Sequence, residues 1–211
     1  MPLDSFCIQP PDIYVGRWKI SESIDQLEQA VLLSGPEKEQ YLSFKNEMRR
    51  KQWLAVRMLL RQMLSGMDTE LTYNEHGKPS FRYLSLQVSV SHSGDYTAVI
   101  VSKEKNVGID VERIREKILN ITERFLSVQE LSFIQPGDID SLYACWGAKE
   151  AVYKLYGSVH VDFRENIRIH PFHFQNIGNF TAEISIDSHI SSFEIKYEKK
   201  DGYMLVYTYS N

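Results

Sequence analysis

Apolar residues recur at spacings of three and four along residues 46–65, where Trp53, Val56, Leu60 and Leu64 share one face and predict an amphipathic helix. Arg49, Arg50, Lys51, Arg57 and Arg61 lie elsewhere on that helix and give it a basic surface, which for any one of them reads first as solvated charge. A second helical run, "IDSLYACWGAKEAVYKLYG" over 139–157, stops at Gly157. A shorter helix is predicted around 38–44, after the break at Ser34-Gly35-Pro36. The segment "ERIREKILNITERFLSVQELSFI" predicts an interrupted helix, because Ser127 and Glu130 fit a capping box that restarts it and Pro136-Gly137 ends it.

Strands are predicted at 13–20, 86–90, 96–102 and 107–111, and short ones at 70–73 and 80–83 flank the turn-rich "NEHGKPS". The turn "SHSGD" joins two of them and carries His92. Residues 172–209 alternate as strands, with Asp201-Gly202 as a hairpin turn. This order predicts an α+β fold in two halves meeting near 103–107, giving domains at 1–105 and 106–211. No sequence repeat or low-complexity linker is evident.

Composition narrows the function. With 211 residues and 43% hydrophobic side chains the chain can bury one sizeable core or two small ones. A net charge of −4 disfavours nucleic acid or an anionic membrane as a partner held by a global field, so any bound anion must meet a local basic pocket. Cys7 and Cys145 have neither CxxC nor metal-ligand spacing and read as free thiols of a reducing compartment. The N-terminal stretch lacks a signal-peptide pattern, and no apolar run is long enough to span a bilayer, so the expectation is a cytoplasmic protein.

Asp110 and Glu112 stand two apart near the end of a predicted strand, which points both carboxylates to one face. Such a pair repels itself unless a cation lies between, and Mg²⁺ takes oxygen ligands of this kind; a plain surface pair is the alternative. Trp146, Glu150 and Lys154, spaced four apart, share a helical face, either as a salt bridge beside a core tryptophan or as a third carboxylate and a counter-charge for phosphate. Ser91, His92 and Ser93 can donate hydrogen bonds to phosphate oxygens, although a lone histidine is more often structural. His160, His170, His173 and His189 lack ligand spacing and read as background.

Taken together, Gly77-Lys78-Pro79, "VSVSHSGDY", "VGIDVERI" and "WGAKEAVYK", in that order, resemble the motifs of the larger, Sfp-like 4′-phosphopantetheinyl transferases, and "TERFLSVQEL" is similar to a further element of that family. The resemblance covers roughly residues 49–157. It implies two similar subdomains related by a pseudo-twofold axis with the site between them. It also implies transfer of phosphopantetheine from coenzyme A to a serine of an apo acyl or peptidyl carrier protein, releasing adenosine 3′,5′-bisphosphate.

By the same resemblance, Asp110, Glu112 and Glu150 hold Mg²⁺, and Glu150 takes the serine proton. Lys154 and His92 bind phosphate oxygens, Lys78, Pro79 and Ser91 meet the nucleotide end, and a basic residue of the run Arg49-Arg50-Lys51, Lys51 first and Arg57 next, meets the 3′-phosphate. The correspondence is loose before residue 49, where Lys38 sits in a family-like setting and Tyr41 stands where some relatives have lysine. The chain length implies a monomer holding both halves of the site. A basic, partly apolar patch on 112–126, including Arg113, Arg115 and Lys117, is the expected carrier contact. Two readings compete: a non-catalytic homologue that binds coenzyme A or a carrier, against which the acidic triad and Lys154 weigh, and a metal-dependent phosphoesterase, against which the ordered motifs weigh.

Overall fold

The computed structural model describes residues 3–9, 12–157 and 161–210; His160, one of the background histidines, lies outside them. The chain divides into two compact units, Met1–Glu104 and Lys105–Asn211, each mixing helices with antiparallel sheet. No helix among the described residues is long and apolar enough to cross a membrane.

The first unit opens with β1 (Leu3–Gln9) and β2 (Ile13–Lys19), followed by α1 (Ile24–Ala30), α2 (Gly35–Ser43) and α3 (Glu47–Met63). It continues through β3 (Leu71–Tyr73), β4 (Pro79–Phe81), β5 (Gln87–Ser93) and β6 (Tyr96–Ser102). Its main sheet runs β1-β2-β6-β5, and β3 and β4 form a separate two-stranded ladder. The long helix lies close on the sheet at Gly16, where a Cβ would come within 2.7 Å of Met63 Sδ and 2.8 Å of Leu59 Cδ1. Trp18, Trp53, Leu54, Leu59, Leu60 and Val99 fill the layer between helix and sheet.

Two elements here go beyond the predicted ones. β1 precedes the first predicted strand and pairs antiparallel with it, and α1 forms on a capping box in which Ser23 and Gln26 satisfy each other's backbone amides. The solvated reading of the basic helix also fails at one position. Arg57 is only 2% exposed, its Nε donating to Glu37 Oε1 at 3.2 Å and its guanidinium 3.3 Å from the Trp53 ring centre.

The second unit consists of β7 (Val107–Arg113), a 3₁₀ turn over Glu116–Asn120, α4 (Thr122–Phe125), α5 (Val128–Leu131) and α6 (Ile139–Tyr156), then β8 (Ile167–Ile169), β9 (Ile177–Ile186), β10 (His189–Lys200) and β11 (Tyr203–Tyr209). The sheet order is β7-β11-β10-β9-β8, antiparallel throughout. Asp201 and Gly202 both adopt positive φ in the tight turn joining β10 to β11, as their sequence predicts. The predicted helical segment at 112 begins later, since Glu112 and Arg113 still pair with Met204 and Tyr203 of β11.

Both units use one local device. In each, a capping-box serine and glutamate start a helix, and the glutamate also accepts a buried cation from the unit's long helix: Ser34, Glu37 and Arg57 in the first, Ser127, Glu130 and Lys149 in the second. This likeness is invisible to a search for sequence repeats, because one cation is arginine and the other lysine.

Candidate active site

In the second unit the alternation of β7 puts Gly108, Asp110 and Glu112 on the face that α6 covers. Two glycines permit the close approach: a Cβ at Gly108 would meet Ala151 O at 1.8 Å, and one at Gly147 would meet Val206 Cγ2 at 2.5 Å. The helix therefore runs along β7 nearly in backbone contact. The same Gly147 position lies 3.7 Å from Asp110 Oδ2, so the carboxylate sits beneath the middle of the helix.

Asp110 is buried at 4% exposure, and Lys154 Nζ donates to its Oδ1 at 2.8 Å and to Ile109 O at 3.0 Å. Lys154 is thus bound to a carboxylate on the sheet. Glu150, one turn earlier, is half-buried, and its pKa is pushed up to about 7, chiefly by burial. Lys154 opposes that rise, while the neighbouring charges of Asp110 and Glu112 add to it. Glu112 also acts on Tyr143, whose hydroxyl accepts from Arg115 N at 3.2 Å and whose pKa is raised, mainly by burial.

Glu150, whose proton affinity the charges of Asp110 and Glu112 raise, makes with them a set of oxygen donors of the kind a hard divalent cation takes. Among the described residues no three acidic, histidine or cysteine side chains are already drawn into a cage around such an ion. The fit lies in charge and chemistry, with one ammonium present beside three carboxylates.

Beside this cluster Trp146 packs edge-on against Phe125 at 5.1 Å and tilted against Phe163 at 5.7 Å, so it belongs to the rim of the core. Lys149, the first lysine of "WGAKEAVYK", has no predicted role, yet it is 0% exposed and bonded to Glu130, Phe163 O and Ile167 O.

The other predicted residues lie in the first unit. Ser91 and His92 are inside β5 and pair with Ala98 and Thr97; the turn proper is Gly94-Asp95, which corrects the placement of His92 in a turn. Two side chains of α3 reach this hairpin: Gln52 Nε2 donates to Gly94 O at 2.9 Å, and Arg49 Nη1 makes a close contact with His92 Nε2. Arg49 belongs to the basic run 49–51 in which a 3′-phosphate contact is expected, and burial lowers its pKa. Lys78 follows Gly77, which has φ +78°, and Pro79 opens β4; burial lowers the Lys78 pKa as well.

Lys51 forms an i,i+4 pair with Glu47 at 3.4 Å. Arg57 faces inward, with Nη1 donating to Tyr73 OH at 3.4 Å. Tyr41 is buried against Trp53 with its hydroxyl on Glu28, which makes it part of the core.

The edge strand of this sheet thus presents two carboxylates beneath a helix bearing a third and a lysine. A family model for the 4′-phosphopantetheinyl transferase superfamily matches residues 106–208, essentially the whole second unit. The 4′-phosphopantetheinyl transferase AcpT of Escherichia coli K12 is 35% identical over 116 residues, covering 52% of this chain and 59% of that one. The transferase gsp of Aneurinibacillus migulanus is 31% identical over 110 residues, 49% of this chain and 46% of that one. The transferase psf-1 of Bacillus pumilus is 39% identical over 87 residues, 39% of this chain and 37% of that one. The likeness to the 4′-phosphopantetheinyl transferase superfamily rests on the second unit. The chain spans about half the length of the curated relatives it matches.

Proposed function

We propose that the chain is a 4′-phosphopantetheinyl transferase that moves the phosphopantetheine arm of coenzyme A onto a serine hydroxyl of an apo acyl or peptidyl carrier protein. The observation that carries this reading is the coupling of Glu150 to Asp110 and Glu112 beside Lys154, inside the region the superfamily matches. In the reaction the serine Oγ forms a bond to the β-phosphorus of coenzyme A. The bridging P–O bond breaks, and adenosine 3′,5′-bisphosphate leaves.

Asp110, Glu112 and Glu150 would hold Mg²⁺, which when bound neutralises diphosphate charge and orients the in-line attack. Glu150, with a pKa pushed up to about 7, would take the serine proton near neutral pH. Lys154 holds Asp110 in position and offsets charge on the phosphates. In the first unit Lys78, Pro79, Ser91 and His92 would meet the coenzyme A phosphates and nucleotide. Arg49, already against His92, joins Lys51 as a candidate for the 3′-phosphate, while Arg57 supports α3 through Glu37. The two units acting as pseudo-twofold halves of one monomeric, cytoplasmic enzyme completes the proposal.

The test is intact-mass spectrometry of several apo carrier proteins incubated with the chain, coenzyme A and Mg²⁺, with Glu150→Gln as control. The expected result is addition of one phosphopantetheine by the wild type and none by the variant. No mass gain on any carrier overturns the reading, and phosphoester hydrolysis without a carrier would replace it with the phosphoesterase.

A further inference from the structure

Lys149 is fully enclosed, and its ammonium is held from several sides. Its Nζ donates to Glu130 Oε2 at 3.1 Å, to Phe163 O at 2.8 Å and to Ile167 O at 2.6 Å, and it lies 2.8 Å from Glu130 Oε1. Glu130 is equally committed: it accepts from Ser127 N at 2.7 Å and from Ile169 N at 2.8 Å. One ion pair therefore ties α6 to the start of α5, to the loop at Phe163 and to β8.

Stability alone is a weak reason for this arrangement. Enclosing two charges costs several kcal/mol of lost hydration, and an apolar pair of similar volume is often as stable or more so. What an apolar pair lacks is direction. Hydrogen bonds to a carboxylate and two carbonyls on separate segments fix how far α6 is rolled about its axis. Consecutive helical residues project about 100° apart, so pinning Lys149 toward α5 and β8 sets where Glu150 points. The loop carbonyl that Lys149 holds belongs to Phe163, whose ring packs 5.7 Å from both Trp146 and Tyr153.

We propose that the buried Lys149–Glu130 pair is a positioning device that holds α6 in the rotation aiming Glu150 at Asp110 and Glu112 and keeps Phe163 seated on Trp146. It rests on the reading of Glu150 as a metal ligand and base. Neither Lys149 nor Glu130 touches substrate; both act through the helix.

The experiment compares wild type with Lys149→Met, Glu130→Met and the double variant, which leaves no unpaired buried charge and is the one expected to fold well. Mn²⁺ affinity is read by electron paramagnetic resonance without coenzyme A or carrier. The Trp146 environment is read by ¹⁹F NMR of 5-fluorotryptophan-labelled protein, with the Trp18 and Trp53 resonances of the first unit as internal controls.

In the folded double variant, Mn²⁺ binding is expected to weaken by about tenfold or more, as when the groups orienting a metal ligand are removed. The Trp146 resonance should shift or broaden, and kcat should fall by a similar factor while the coenzyme A KM stays within about twofold. A folded double variant with wild-type Mn²⁺ affinity and an unchanged Trp146 resonance overturns the proposal. Failure of all three variants to fold overturns it too, by making the pair a folding requirement. A wild type that binds Mn²⁺ but modifies no carrier sinks the transferase reading and leaves this one standing. A wild type that binds no Mn²⁺ removes the metal reading on which this one rests.

Discussion

Lys154 Nζ donates to Asp110 Oδ1 at 2.8 Å, so the lysine read in the sequence as a phosphate ligand is joined to the carboxylate read as a metal ligand. The pair gives a nearly buried aspartate a counter-charge under the helix. Lys154→Met removes that partner, and breaking a partly buried pair of this kind costs on the order of 1–3 kcal/mol. If Mg²⁺ binds as proposed, it should recover part of the loss, because it would supply positive charge at the same carboxylates. Thermal unfolding with MgCl₂ against NaCl at matched ionic strength checks this. A variant as stable as wild type in both salts counts against the charge-balance argument.

Glu150 gives a pH dependence with a definite sign. Its folded pKa is raised from 4.5 to about 7, so the folded chain holds this proton more tightly than the unfolded chain. The associated stability is fully present below about pH 4.5 and is lost as pH rises through about 7. Metal-free wild type should therefore be less stable at pH 8 than at pH 5 by up to a few kcal/mol from this group. Glu150→Gln, which mimics the neutral form, should be the more stable protein at pH 8 and lose most of that slope. Urea denaturation at the two pH values in EDTA measures it, and parallel pH profiles for the two proteins would refute it.

The two glycines where α6 meets the sheet rank by what a side chain would strike. At Gly108 the obstacle is the Ala151 carbonyl at 1.8 Å, which is backbone, whereas at Gly147 it is the Val206 methyl at 2.5 Å. Gly108→Ala must lift the helix off β7 and should cost about 3 kcal/mol or more; Gly147→Ala should cost about 1–2 kcal/mol. Both should weaken Mn²⁺ binding, since they separate Glu150 from Asp110. Chemical denaturation of the two variants sets the order. Equal or negligible losses would mean that the helix is not held as closely as these contacts require.

Those contacts also mark how far the sequence could be read. The apolar spacing in α3 and α6, the capping serine at 127 and the Asp201-Gly202 turn are local signals, and each produced the element it predicts. Arg57 and Lys149 were not legible, because their burial is decided by a glutamate about twenty positions earlier that must first be fixed by its own cap. Gly108 and Gly147 likewise gave no warning, since a glycine needed for helix-on-sheet approach looks the same as a turn glycine until the partner backbone is placed. His92 moved from turn to strand because Gly94 and Asp95 suffice to close the hairpin. The acidic residues were legible as a set, since strand and helix periodicities each settle which face a side chain takes; the pairing of Lys154 with Asp110 was not.

The segment after β7 tests partner recognition. Arg113, Arg115 and Lys117 are exposed, and Leu119, 44% exposed, adds an apolar residue to the same stretch. If the proposed carrier presents an acidic helix around its serine, this stretch meets it with local charge despite the chain's net −4. Reversing all three charges should raise the KM for carrier by about tenfold or more and remove most of its salt dependence. Each exposed pair contributes roughly 0.2–1 kcal/mol, and charge placement acts mainly on association. The KM for coenzyme A and the Mn²⁺ affinity should stay at wild-type values, because the reversed side chains project from the end of β7 and the turn after it. Steady-state kinetics with carrier and coenzyme A varied separately decides the point: an unchanged carrier KM moves the docking surface elsewhere, and a changed Mn²⁺ affinity would show that the reversal reached Glu112.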